Sequence, residues 1–200
     1  MTRRSLFQAA SCIAAVLLAS AMPASAHVFN GEATGFLSGL RHPVSGFDHI
    51  LAMVAVGLWG AQLGAPAIWV LPIAFPMVMA LGGLLGLLGL PLPGVEVGIA
   101  LSALVLGVMV LLEVRPPLWT AGLLVAVFAV FHGHAHGSEL PSGADGLVYS
   151  LGFVMATGLL HATGIAVGLV HRWPAGRLAL RGAGAAIAAA GPVFLWSALT

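Results

Sequence analysis

Between residues 44 and 199 the chain is a succession of six apolar stretches with short breaks, and no other feature restricts its fold as much. The stretches cover residues 44–63, 68–90, 95–112, 118–132, 147–170 and 178–199. Most approach the roughly 20 residues that a helix needs to cross a hydrocarbon layer; the fourth gets there only by including the histidine-rich residues after it. The breaks carry Gly64-Ala65-Pro66, Pro91-Leu92-Pro93-Gly94, Arg115-Pro116-Pro117, Pro141-Ser142-Gly143 and Trp173-Pro174-Ala175-Gly176, all turn-forming sequences. In lipid every backbone polar group must be satisfied inside its own segment, so the spans are predicted to be helices. The fold class that follows is all-α, a polytopic membrane bundle of six transmembrane helices. Charged residues make up 6% of the chain and the mean hydropathy is +1.08. An ordinary soluble domain is about one quarter charged. The partner this composition implies is the lipid bilayer. With no lysine and scattered arginines, there is no nucleic-acid footprint.

Residues 1–26 read as a secretory signal. Arg3 and Arg4 form its basic start, residues 9–21 its apolar segment, and Ala24-Ser25-Ala26 its cleavage site. Cleavage would make His27 the mature N-terminus, outside the cytoplasm, and leave residues 27–200 as a single six-helix transmembrane domain. Cys12, the sole cysteine, would leave with the signal, so neither a disulfide nor a thiolate metal site is expected in the mature chain. Residues 28–40 are short and glycine-containing, and read as a re-entrant or interfacial piece. With the N-terminus exported, the breaks after the first, third and fifth stretches face the cytoplasm. These hold Arg115, Arg172 and Arg177, with Arg181 close by, whereas the breaks after the second and fourth hold no arginine. The positive-inside rule agrees, Arg41 being the exception. The expected location is the bacterial inner membrane, with the mature N-terminus periplasmic.

Two polar clusters interrupt this pattern. His42-Pro43-Val44-Ser45-Gly46-Phe47-Asp48-His49 opens the first stretch, and Phe131-His132-Gly133-His134-Ala135-His136-Gly137-Ser138-Glu139 closes the fourth. Stretches one and four run in opposite directions, so both clusters fall at the same predicted depth. On a helix His132, His136 and Glu139 share one face and His134 takes the other. His42 and His49 are two turns apart; Pro43 suits a first helical position, with His42 at the cap, and Gly46 could unwind that turn. Ionisable side chains bordering a span are costly and mark function. Imidazole and carboxylate together are ligands for divalent transition metals. The expected metal ligands are His42, Asp48, His49, His132, His136 and Glu139. His27 (with its α-amine), His134 (in an ion-collecting role) and His161 (mid-span in the fifth stretch) are further candidates; His161 reads equally as a second station on a path or as a polar link between helices. Met53, one turn after His49, reads as core. Small residues at four-residue spacing, Gly82 and Gly86, Gly164 and Gly168, and Gly182, Ala186 and Ala190, are expected to seat close helix contacts. H-E-x-x-H, phosphate-loop and G-x-S-x-G motifs are absent from the sequence, so no enzyme is expected and no prosthetic group is called for. A membrane haem protein with axial histidines and a metal-sensing or accessory subunit stay open beside transport. Homo-oligomerisation is also open.

The run His42-Pro43-x-x-Gly46-x-Asp48-His49-x-x-Ala52-Met53-x-Ala55-Val56-Gly57-x-Trp59, with Phe131-His132-Gly133-x-Ala135-His136-Gly137-x-Glu139 and Gly158-Leu159-x-His161-x-x-Gly164, resembles the HupE/UreJ proteins. The resemblance covers essentially the whole chain. It implies an inner-membrane permease importing Ni²⁺, sometimes Co²⁺, as the transported ion, and indirectly serving the maturation of nickel enzymes such as hydrogenase or urease. The larger nickel/cobalt transporter family carries H-x4-D-H, whereas five residues separate His42 from Asp48 here.

Overall fold

Proline and glycine set the ends of the helices. The structure, a computed structural model, describes residues 35–140 and 145–200. The expected signal segment, Cys12, His27 and the Pro141-Ser142-Gly143 break lie outside the described residues. Helix α1 (Phe36–Arg41) runs into a 3₁₀ turn at His42–Val44 and is followed by α2 (Phe47–Leu63), α3 (Ala67–Leu87) and α4 (Val95–Leu112). After them come α5 (Leu118–Ser138), α6 (Gly146–Gly168), extended by a 3₁₀ turn at Leu169–Arg172, and α7 (Pro174–Leu199). Gly64 stops α2 at φ 79°, a conformation that a side chain would strain. No strand occurs among the described residues.

Among the described residues, five helices are long and apolar enough to cross a membrane: α3, α4, α5, α6 with its extension, and α7. The bent pair of residues 36–44 and 47–63, meeting at 82°, makes a sixth crossing if it is one broken span, and a re-entrant loop otherwise. This corrects the expectation that Pro43 begins the first span. The Ser45 hydroxyl donates to the His42 carbonyl at 2.6 Å and the Ser45 N–H to the same carbonyl at 3.0 Å, which closes the turn on itself. Gly46 is then extended (φ −111°, ψ 126°), and α2 starts only at Phe47. His42 and His49 therefore lie on either side of a break, not along one continuous face.

Glycine seats the helices on one another. A Cβ on Gly82 or Gly86 of α3 would collide with the α5 carbonyls of Val130 and His134, and one on Gly133 or Gly137 with the α3 carbonyls of Met79 and Gly83. The two helices run parallel, as these pairings rise together. Gly57 of α2 and Gly164 and Gly168 of α6 interlock in the same way. On α7 the expected stripe is displaced by one or two residues: Gly182 faces open space, whereas Gly184, Ala188 and Gly191 meet Leu111, Gly107 and Leu104 of α4. Alanine and glycine occupy every face of that part of α7, so composition could not single out the packed one.

The core holds Trp59, Phe75, Met53, Leu58, Leu71, Ile99 and Leu106, all buried. Trp59 Nε1 donates to the Val114 carbonyl (2.9 Å) and Gln62 Nε2 to the Val110 carbonyl (3.1 Å), so α2 side chains tie down the C-terminal end of α4 and the residues just after it. Trp69, Met77, Leu81, Trp119, Leu159 and Trp196 are exposed around the outside, as lipid-facing side chains are.

Candidate metal centre

The break between α1 and α2 lies against the last turns of α5 and the start of α6, and this junction gathers the histidines. The His42 and His136 rings are 4.5 Å apart between centroids, His49 and His136 4.7 Å, and His49 and His132 4.7 Å. His42 Nε2 is 3.5 Å from Glu139 Oε2. Phe153 and Tyr149 of α6 close the far side, the Phe153 ring 4.2 Å from that of His136. Thus His42, Asp48, His49, His132, His136 and Glu139 come together, from two segments more than eighty residues apart. His134 does not join them: it is on the opposite face of α5, its Nε2 2.8 Å from the Leu90 carbonyl. His161 is deeper, beyond the Phe75 ring, which stands 5.6 Å from His132 and 5.4 Å from His161.

Hydrogen bonds fix which ring nitrogens are free. Asp48 Oδ1 accepts from the His49 backbone N–H (2.8 Å) and lies 2.9 Å from His49 Nδ1. A carboxylate only accepts, so Nδ1 carries the proton and Nε2 keeps its lone pair. Ser102 does the same for His132. Its one hydroxyl proton goes to the Ile99 carbonyl at 2.6 Å, so the oxygen accepts from His132 Nε2 at 2.9 Å and leaves Nδ1 unprotonated. Carboxylate and hydroxyl partners of this kind orient imidazole ligands at metal sites. His49 Nε2, His132 Nδ1 and both nitrogens of His136 are buried without a hydrogen-bond partner.

Exposure falls inward, from 39% for the Glu139 side chain and 22% for His42 to none for His132. Partial burial raises the Glu139 carboxyl above its usual range, and the Glu96 carboxylate adds to that. Among the described residues no group of three or more His, Cys, Asp or Glu side chains is already posed to hold an ion. The rings meet edge to face, and coordination requires them to turn until their lone pairs converge. Sequence reasoning passed over Ser102, although it is the only hydroxyl in the third stretch, and Phe75, although Pro72 and Pro76 flank it.

A sequence profile of the HupE / UreJ protein family matches residues 14–194. The chain belongs to the HupE/UreJ family. It is 47% identical over 186 residues to Protein HupE of Rhizobium leguminosarum bv. viciae, covering 92% of this chain and 97% of that protein. No solved structure matches the chain. Membership of the HupE/UreJ family accords with the helices, which make a multi-pass membrane protein of it.

Proposed function

We propose that this chain is a permease importing a divalent transition-metal ion, Ni²⁺ in the first place and Co²⁺ as the alternative, across the bacterial inner membrane. The observation that carries the reading is the convergence of four histidines from the α1–α2 break and α5, with lone pairs on His49 and His132 held free by Asp48 and Ser102. Imidazole with a flanking carboxylate suits a borderline divalent cation. Family membership and the resemblance of both motifs favour nickel and cobalt within that class.

An ion would arrive at the exposed carboxylate of Glu139 and at His42, shed water, and pass to His49, His136 and His132. Each transfer exchanges one imidazole for another, so no single step need release a fully coordinated ion; binding stays weak enough for the ion to leave. The histidine end of the bundle would face the periplasm and the Arg115 and Arg172–Arg181 end the cytoplasm. Radioactive nickel uptake by cells expressing this chain, with cobalt and zinc as competitors, tests the reading. Saturable uptake that cobalt competes for, and that His49→Ala abolishes at normal expression, is the expected result. Uptake no greater than in cells lacking the chain would sink it.

A further inference from the structure

Gly57 lies eight residues beyond His49 on α2, about 12 Å along the axis at 1.5 Å per residue, and packs against the backbone of His161. His161 is thus two turns deeper in the bundle than the outer histidines. It is 1% exposed, and neither ring nitrogen has a hydrogen-bond partner. Thr157, one turn earlier on the same face of α6, is wholly buried and its Oγ1 is also without a partner. Thr163 of the same helix returns its hydroxyl to the Leu159 carbonyl at 2.8 Å, the usual solution. A third polar atom comes from α3. The helical partner of the Pro72 carbonyl would be the N–H of residue 76, which is proline and has none. That carbonyl neighbours the His161 ring. Buried polar atoms left unmatched in this way need an explanation, and a transient ion is one.

We propose that His161, the Thr157 hydroxyl and the Pro72 carbonyl form an inner station for a divalent cation, separated from the outer histidines by the Phe75 ring. The inference rests on the transport reading above and extends it to a path. One imidazole nitrogen and two neutral oxygens suit a borderline divalent cation, yet without a carboxylate they hold it loosely. Loose holding is what the inward side of a path requires.

The test uses the full chain with His161→Ala and His161→Gln, reading nickel uptake in cells and equilibrium Ni²⁺ binding to the detergent-purified protein. Both variants should cut uptake at least about tenfold, the scale of disturbing one ligand, while the outer-site Kd stays within about twofold of wild type. An unchanged Kd also shows that the variants fold. Full uptake by His161→Gln, which keeps hydrogen-bonding capacity without an imidazole, would make His161 a structural link and overturn the proposal. Loss of outer binding together with uptake would overturn it too, since His161 would then act through the fold. A wild-type chain that binds no nickel would instead remove the transport reading itself.

Discussion

Ser102 and Asp48 act on two different histidines in the same way, each accepting one ring proton so that the other nitrogen keeps its lone pair. Ser102→Ala is expected to weaken nickel binding by about 10–100-fold, the usual effect of losing a partner behind a metal ligand. It should also cost about 1–3 kcal/mol of stability, because His132 Nε2–H is left buried and unpaired. Isothermal titration and thermal unfolding in detergent read the two effects separately; unchanged affinity would mean that His132 presents no lone pair to the ion. The grouping of His42, Asp48, His49, His132, His136 and Glu139 was legible in the sequence, because alternating helix direction puts both clusters at one depth. The tautomers were not. They depend on Ser102, which reaches His132 only through the packing of α4 on α5.

At the scale of the elements, the break at Gly46 is what turns His42 and His49 toward α5. A Cβ on Gly46 would collide with the Asp48 carboxylate and crowd His49 Nδ1. Gly46→Ala should therefore weaken nickel capture by roughly tenfold, again the scale of a displaced ligand partner, with helical circular dichroism unchanged. Wild-type affinity in that variant would show that the Asp48–His49 pair does not matter. The glycine seams make a second prediction. Gly133→Val forces a side chain into the Met79 carbonyl and should cost about 1–3 kcal/mol or more of overpacking, whereas Gly182→Ala, in open space, should leave the melting temperature unchanged. Span lengths and breakers made the helices readable beforehand. The bend was not placed, because Pro43 and Gly46 both punctuate that stretch and only the Ser45–His42 hydrogen bonds decide between them. The seam on α7 was missed because small residues cover all its faces.

For the whole molecule, the apolar exterior and the inward fall of exposure from Glu139 to His132 describe a bundle with a polar entrance at one end. In a Cys12→Ser background, an impermeant thiol reagent applied to intact cells should label Pro93→Cys, at the histidine end, and spare Ala175→Cys at the arginine end. The reverse pattern would invert the proposed orientation and point to export. The claim beneath these predictions is that the gathered imidazoles are the ligands of the ion. Its most direct test is equilibrium Ni²⁺ binding to the purified chain beside His49→Ala and His132→Ala, with X-ray absorption reading the atoms around the metal. Imidazole nitrogens should surround the nickel, and each substitution should remove one of them and weaken binding by about tenfold or more. Nickel bound with unchanged affinity by both variants, or with no imidazole in its spectrum, would contradict the claim.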